Sequence, residues 1–201
     1  MLAPSSLLSI KLSVEASWVH IFNPGLEKVK LETSALGVMA DGEVEERIGD
    51  IPYRMHYSVI CDPDWNVREL TVERHGPRIR SLDVITDGLG KWYTPACEEL
   101  PAFEGCTDVN LSAAAFTNTL PIRRLNLGEN QKIELKVLYV DATTMEMNAT
   151  QQRYTCIHRG ESESTYYYEN LLTGFRVEMK VDAEGLVLDY PGVFRRTAVK
   201  S

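Results

Sequence analysis

Two adjacent arginines are the residues of this sequence most able to recognise a ligand. Arg123 and Arg124 follow a long uncharged stretch. Adjacent side chains of a strand point to opposite faces, so if one face is buried, one guanidinium group points into it. A buried guanidinium needs a partner, because an unpaired charge is costly to bury. That partner is either an internal carboxylate such as Asp108, or the phosphate, carboxylate or hydroxyl groups of a ligand.

Other residues extend this candidate site. Asn118 precedes the arginines in the same segment and could add an amide donor and acceptor to the same rim. Trp18, Trp65 and Trp92 are candidates to line or cover an apolar groove beside it. Packing in the core is the alternative for each tryptophan, because large aromatic side chains are mostly buried. A groove filled by the chain's own side chains is a further alternative.

Sequence motifs of catalysis are absent. The sequence contains no G-x-S-x-G elbow, no H-E-x-x-H and no phosphate-binding glycine loop. The four histidines are far apart in the sequence, without the i, i+2 spacing that metal ligands on a strand often show, so we predict no metal site. We likewise predict no cofactor and no catalytic residue, because none of these motifs is present. An enzyme is the alternative: a hydrolase of a small glycosylated or ester metabolite, with Asp108 as acid or base beside Arg123.

Composition excludes several partners. The chain has 201 residues, of which 44% are apolar and 25% charged, with a net charge of −8. An acidic chain is a poor general binder of polyanions, so we do not expect a nucleic-acid partner. Its longest apolar runs are far below the ~20 residues that span a bilayer, so no integral membrane segment is expected. The oligomeric state is left open.

The cysteines and the N-terminus bear on location and on domains. Four cysteines without a C-x-x-C pair favour reduced thiols, and no secretory signal is recognisable, so we expect a cytoplasmic protein. Residues 1–16 are interpreted as a weakly ordered leader. Residues 17–201 show no linker or change in composition, and are interpreted as one domain.

Alternation with a period of two dominates the chain. Apolar residues occupy every second position in Tyr53–Val59, Ile133–Tyr139 and Phe175–Val181, which is typical of antiparallel strands with one buried face. Weaker strand signals cover residues 18–22, 28–32, 67–72, 79–85, 153–157 and 186–189. Turn residues separate these segments at 61–64, 86–90, 127–130 and 182–185.

The fold class follows from these strands. We predict an all-β antiparallel protein of about ten to thirteen strands, arranged as a barrel or a sandwich. Pro95–Asn118 lacks both the strand and the turn pattern. A short helix over Ser112–Ala115 is predicted there, so at most one or two short helices are expected.

Several motifs together resemble those of one protein family. They are Trp18; Tyr57 with Asp62 and Trp65; Asp87–Trp92; Gly105–Leu111; Phe116–Leu125; Gln152 with Tyr154; and Val181–Pro191. In this order, over about residues 18–196, the sequence resembles the "Putative glycolipid-binding" family, which was formerly a domain of unknown function.

The resemblance implies a fold and a ligand. The fold is similar to the open β-barrels that carry lipoproteins across the bacterial periplasm, so an open or incompletely closed barrel is expected. The ligand is a lipid or a glycolipid-like amphipathic molecule in its groove. From the residues themselves, and not from the resemblance, we expect Arg123 or Arg124 together with Asn118 to hold the polar head. The full set of candidate ligand-binding residues is Trp18, Trp65, Trp92, Asp108, Asn118, Arg123, Arg124, Gln152 and Tyr154.

Overall fold

The fold is built from strands of one sheet. A computed structural model of the chain describes residues 12–22 and 25–200. The strands are β1 Leu12–His20, β2 Leu26–Ser34, β3 Gly37–Ile48, β4 Ile51–Cys61, β5 Val67–His75, β6 Arg80–Thr86, β7 Trp92–Tyr93, β8 Cys106–Leu111, β9 Lys132–Val140, β10 Met147–Arg159, β11 Glu163–Asn170, β12 Arg176–Asp182, β13 Val187–Tyr190 and β14 Phe194–Lys200. One α-helix, α1, spans Thr119–Leu125, and two 3-10 helices span Pro101–Phe103 and Phe116–Asn118.

The strands follow one another as a meander. The sheet order is β7-β6-β5-β4-β3-β2-β1-β14-β13-β12-β11-β10-β9-β8, so the first and last described strands pair in its middle. Every pair is antiparallel except β8 with β9, which is parallel. The parallel pair arises because the chain between β8 and β9 passes through the interior of the sheet before it returns.

The barrel stays open between its two edge strands. No ladder joins β7 to β8 in the described part of the chain. Instead, the Trp92 indole N–H donates to the Cys106 carbonyl at 2.8 Å, and the Gly105 N–H donates to the Gly90 carbonyl at 2.8 Å. A Cβ atom at Gly90 would lie 3.0 Å from the Gly105 Cα. Side chains and loop backbone therefore close the seam that strand pairing leaves open.

The predicted all-β class is confirmed, with an antiparallel sheet that is not closed into a barrel. The three strongly alternating segments lie in β4, β9 and β12. The described residues form fourteen strands rather than ten to thirteen. Five of these strands had no strand signal in the sequence: β3, β7, β8, β11 and β14. Of these, β7 has two residues, and β8 lies in the Pro95–Asn118 stretch and does not alternate, because it buries both Asp108 and Val109.

The start of the sheet lies earlier than the expected domain boundary. Residues 1–11 of the expected leader lie outside the described residues. β1 begins at Leu12, and Val14 and Ala16 pair with Leu31 and Val29 of β2. Residues 12–16 belong to the sheet because their alternating apolar side chains are buried in it.

An irregular segment fills the interior. Every residue from 113 to 122, named here the central segment, is buried. The expected helix over Ser112–Ala115 is wrong, because Ala114 instead donates its N–H to Leu111 in a turn, and the helix α1 begins at Thr119. Pro121 fits the first helical turn, where N–H groups lack intrahelical partners. The structure contains, among the described residues, no helix with the length and apolar character needed to cross a membrane.

Helix α1 also overturns the strand assignment of the two arginines. Arg123 and Arg124 occupy its last turn, where positive charge interacts favourably with the helix dipole. The helix ends at Asn126, whose φ of 45° is left-handed, a conformation that asparagine tolerates better than most residues.

We expect Gly42→Ala to lower the free energy of unfolding by about 1–3 kcal/mol, the usual range for overpacking. Gly42 pairs with Tyr57 across β3 and β4, and a Cβ atom there would lie 2.1 Å from the Tyr57 ring. Gly76→Ala is the matched control, since its Cβ atom would meet Tyr53 at an ordinary 3.5 Å. Urea denaturation measures both variants, and equal stabilities would contradict the prediction.

Candidate functional site

A buried carboxylate holds the central segment against the sheet. Glu27 of β2 has no exposed surface. It accepts a hydrogen bond from the Tyr57 hydroxyl at 2.5 Å and one from the Ala115 N–H at 2.6 Å, and the Phe116 N–H lies 3.4 Å away. Burial raises the pKa of Glu27 to about 7, although its hydrogen bonds favour the ionised form. Glu27 therefore supplies acceptors that the irregular backbone needs.

A histidine holds the beginning of the same segment. His20 of β1 places Nδ1 at 3.1 Å from Glu46 Oε1 and Nε2 at 3.2 Å from the Ala113 carbonyl oxygen. Both ring nitrogens face acceptors, so the doubly protonated ring satisfies both contacts. Burial by itself would lower the pKa of His20, but Glu46 and the Ala113 carbonyl outweigh it, and the pKa is raised.

A cavity of about 400 Å³ opens at one end of the interior. We name it the aromatic cavity and define it by Asn118, Thr150, Tyr168, Phe175, Tyr190 and Phe194. The Tyr190 ring lies 6.1 Å from Tyr168, 6.2 Å from Phe175 and 5.9 Å from Phe194, measured between ring centres. Burial raises the pKa of Tyr168 to about 12 and also raises that of Tyr190. Both hydroxyls are therefore neutral donors at physiological pH.

The lining of the aromatic cavity is polar but uncharged. None of the described residues that border it carries a formal charge, although charged residues make up 25% of the sequence. Four asparagines border it together with the aromatic rings: Asn110, Asn118, Asn148 and Asn170. Amide groups beside aromatic faces, without any ion, suit a neutral and hydroxylated ligand.

Three predicted site residues, Asn118, Gln152 and Tyr154, meet in the interior, and of these Asn118 borders the cavity. The Asn118 amide donates to the Ala115 carbonyl at 3.2 Å and accepts from the Tyr154 hydroxyl at 3.1 Å. The same hydroxyl lies 3.4 Å from Gln152 Oε1. Two buried polar atoms nearby on β10, Gln152 Nε2 and Thr150 Oγ1, have no hydrogen-bond partner among the described residues. Buried polar groups are usually paired. Of these two residues, Thr150 borders the aromatic cavity and Gln152 does not, so the Thr150 hydroxyl is the unpaired group that lies beside the cavity.

Arg124 and Asp108 form an internal ion pair. Arg124 Nε lies 3.2 Å from Asp108 Oδ1, and Nη2 lies 2.5 Å from Oδ2. Thr107 adds its hydroxyl to both partners, and Asp108 has no exposed surface. The sequence left open whether a buried guanidinium would pair with an internal carboxylate or with a ligand. For Arg124, the partner is the internal carboxylate of Asp108. Asp108 also lies beside Arg124 and not, as the hydrolase alternative required, beside Arg123.

Arg123 lies on the exposed side of α1 and not in the interior. Its guanidinium carbon is 5.1 Å from the centre of the Trp65 ring, a cation–π contact. Both residues border a second cavity of about 790 Å³. We name it the arginine cavity and define it by Trp65, Arg123, Arg124, Arg159 and Asp182.

The other two tryptophans are core residues. Trp18 and Trp92 are almost fully buried, and their indole N–H groups donate to the carbonyls of Val187 and Cys106 at 2.7 and 2.8 Å. Neither borders the aromatic cavity or the arginine cavity. Of the three predicted tryptophans, only Trp65 borders one of these two cavities.

The predicted site residues that border a cavity fall into two groups at opposite ends of the interior. β10 shows the separation, since Thr150 near its start borders the aromatic cavity and Arg159 at its end borders the arginine cavity. Asn118 lies at the first end, and Arg123 and Arg124 lie at the second. The central segment is buried between them.

Sequence reasoning missed residues that carry this arrangement, among them Glu27, Thr150 and Tyr190. A signal existed for two of them. Glu27 shares its strand face with the buried Val29, and Thr150 shares its face with Tyr154. A polar residue in phase with buried positions indicates a group that must find a partner inside. Tyr190 is the last residue of β13, one position beyond the strand signal over residues 186–189, so no alternating pattern predicted its orientation.

The open sheet and the central segment buried inside it define a β-barrel-like protein. The aromatic cavity lies at one end of its interior and the arginine cavity at the other. The sequence profile of the "Putative glycolipid-binding" family matches residues 15–196, and the chain belongs to this family. The crystal structure of a DUF1089 family protein from Pseudomonas aeruginosa is similar, with 35% sequence identity and a TM-score of 0.77 over 85% of this chain and 92% of that chain.

A more distant structure shares the fold. It is a β-barrel-like protein of the family DUF1849 from Brucella abortus, with 9% identity and a TM-score of 0.51 over 96% of this chain and 97% of that chain. No protein of curated function shows significant sequence similarity to the chain.

We expect Glu27→Gln to flatten the pH dependence of stability between about pH 4.5 and 7. The folded-state pKa of Glu27 is raised, so its protonated form contributes stability at low pH, and that contribution is lost as the pH rises through about 7. One such proton changes the free energy of unfolding by at most about 1.4 kcal/mol per pH unit. His20, whose pKa is also raised, acts in the same direction, with its stability lost as the pH rises.

Urea denaturation at several pH values measures the effect as the difference between wild type and variant. Glu43→Gln, at an exposed position of β3, is the control and should keep the wild-type slope. Identical slopes for wild type and Glu27→Gln would show the prediction to be wrong.

We expect Arg124→Gln to lower the free energy of unfolding by about 3–5 kcal/mol, because it leaves the Asp108 carboxylate buried without its cation. The double variant Asp108→Asn with Arg124→Gln should recover part of this loss, since no buried charge remains. Arg123→Gln is the control on the adjacent, exposed position and should be near neutral. Thermal denaturation compares the variants, and an Arg124→Gln protein as stable as Arg123→Gln would refute the buried-pair assignment.

Proposed function

We propose that this protein binds an amphipathic, glycolipid-like molecule whose neutral, hydroxylated head occupies the aromatic cavity. One observation carries the proposal: an uncharged lining combines aromatic faces, asparagine amides and an unpaired buried hydroxyl. The membership of the chain in the "Putative glycolipid-binding" family supports the same class of ligand.

The chemistry of the lining matches a sugar ring. A glycosyl group has apolar C–H faces that pack on aromatic rings, and hydroxyl groups that both donate and accept. Tyr168 and Tyr190 provide rings and neutral hydroxyls, and Asn118 borders the same cavity. Thr150 Oγ1, which has no partner among the described residues, gains one when a sugar hydroxyl lies in the cavity. A charged head would find no ion to pair with in this lining.

The rim of the cavity suits the apolar part of such a molecule. Leu172 and Phe175 border the cavity with exposed fractions of 76% and 42%. An acyl or alkyl chain that covers them gains ~0.8 kcal/mol for each CH₂ group removed from water. The head lies inside and the chain at the mouth, because a volume of about 400 Å³ is near the lower end of the usual range for ligand pockets.

The polar side chains beside this head group include asparagines, Asn118 among them, and the Thr150 hydroxyl, but no arginine. Arg124 is engaged with Asp108, and Arg123 borders the cavity at the opposite end. The central segment lies between the two ends, so a single head group does not reach both. The proposal thus keeps the expected asparagine and gives the arginines no part in holding the head.

We expect n-octyl β-D-glucopyranoside, used below its micelle concentration, to raise the melting temperature, because a ligand that binds only the folded state stabilises it. Thr150→Val removes the unpaired hydroxyl. It should leave the unliganded protein as stable as wild type or more so, yet weaken glucoside binding about five- to tenfold, the value of one ordinary hydrogen bond.

Thr155→Val is the matched control on the outer face of the same strand and should bind like wild type. Isothermal titration calorimetry measures the affinities, and native mass spectrometry of freshly purified protein tests for a co-purified glycolipid. The proposal fails if no glycolipid co-purifies and octyl glucoside leaves the melting temperature unchanged.

A further inference from the structure

We propose that the arginine cavity is a second binding site, specific for a phosphate monoester. It lies at the end of the interior opposite the aromatic cavity, and the inference does not rest on the function proposed for that cavity. Three guanidinium groups border it, those of Arg123, Arg124 and Arg159, in a chain whose net charge is −8.

Arg123 is held in place by uncharged groups. Its guanidinium lies over the Trp65 ring at 5.1 Å, and Nη1 lies 3.5 Å from the Ala183 carbonyl oxygen. Stacking on an aromatic face orients the planar guanidinium but leaves its charge without a counter-ion. The remaining N–H groups are free to bind an anion.

Arg159 is positioned in the same way. Its Nη1 donates to the Leu127 carbonyl at 2.7 Å, and its Nη2 donates to the Asn126 side-chain oxygen at 2.5 Å. Asn126 is the left-handed residue that ends α1. The end of the helix therefore places the second cation near the first.

The carboxylates of this cavity do not neutralise these two arginines. Asp182 is bonded to Arg196, and Asp64 and Glu161 also border the cavity. Among the described residues, no carboxylate lies within ion-pair distance of the Arg123 or Arg159 guanidinium group, and Glu129 accepts a hydrogen bond only from the backbone N–H of Arg159, at 3.2 Å. Both guanidinium groups therefore keep N–H donors for an external anion.

Trp65 supports a ligand-binding role through its backbone. It has φ of 67°, a conformation that is unusual for a bulky residue and costs of order 1–3 kcal/mol. The turn that contains it, closed by the Trp65 N–H to the Asp62 carbonyl at 3.0 Å, would accept glycine at this position without strain. The strained tryptophan places its ring beneath Arg123, and strained residues of this kind occur mostly at functional sites.

A phosphate monoester fits this arrangement better than a carboxylate does. It carries about −1.5 to −2 charges at neutral pH and three acceptor oxygens, which match two guanidinium groups that approach from different elements. A carboxylate has one negative charge and is satisfied by a single guanidinium fork.

The test uses the Trp65 indole as a reporter. Trp18 and Trp92 donate to backbone carbonyls in the core, so only the Trp65 indole resonance should shift when inorganic phosphate or glycerol 3-phosphate is added to the ¹⁵N-labelled protein. Trp65→Phe assigns that resonance. Sodium chloride at equal ionic strength separates a bound phosphate from general screening.

Arg123→Gln and Arg159→Gln should each weaken the affinity about tenfold or more, as expected for lost hydrogen bonds to a charged group. Arg54→Gln is the control, because Arg54 is a highly exposed residue that pairs with Glu45 on the strands β3 and β4, and it should bind like wild type. Co-sedimentation with phosphatidylcholine vesicles containing phosphatidic acid distinguishes the source of the phosphate. If the protein sediments with the vesicles and Arg123→Gln abolishes this, the phosphate belongs to a lipid head group. If the protein does not sediment but soluble phosphate shifts the Trp65 resonance saturably, the ligand is a soluble phosphate.

The proposal is overturned if neither soluble phosphate shifts the Trp65 resonance saturably and the vesicles show no sedimentation that depends on Arg123, or if sodium chloride reproduces the shift. It is also overturned if Arg54→Gln weakens binding as much as Arg123→Gln does.

Discussion

The arrangement of this protein depends on the hydrogen bonds that one buried carboxylate accepts from an irregular backbone. A sheet of many strands curls around an interior that its own inward side chains do not fill, and here the central segment occupies that space. Its backbone is not part of a ladder, so its N–H groups need other partners. Glu27 provides them for Ala115 and Phe116, and Tyr57 shares the same carboxylate. The close approach of Tyr57 to Gly42 and the contact of His20 with Ala113 belong to the same attachment.

Because the central segment is buried in the middle of the interior, the two ends of the sheet have different chemistry. One end has aromatic rings and amides without a formal charge, and the other has three guanidinium groups with a stacked tryptophan. Asn118 of the first end and Arg123 of the second come from the same stretch of chain, only five positions apart. The 3-10 helix and α1 carry the chain from one end to the other. One short segment thus contributes to two cavities with unlike linings.

The strands were predictable to a large extent, and the candidate site only in part. Alternating segments such as Tyr53–Val59 must be strands because only a period of two buries one side of them. The residues around Asn118 and Arg124 were recognised as unusual, but their roles depend on the path of the chain. A strand would have directed one arginine inward. The helix instead directs Arg124 to Asp108 and Arg123 to Trp65.

Composition and periodicity by themselves therefore determined an acidic, all-β chain with polar residues in a segment that lacks strand signals. Only the tertiary structure decided which polar groups meet. The pairing of Arg124 with Asp108, the contact of Tyr154 with Asn118 and the burial of Glu27 join residues that lie far apart along the chain. Local sequence reports the conformation of neighbours, because periodicity follows from backbone geometry. Contacts across the interior depend on how the whole sheet curls and on what fills it, and no local pattern encodes that.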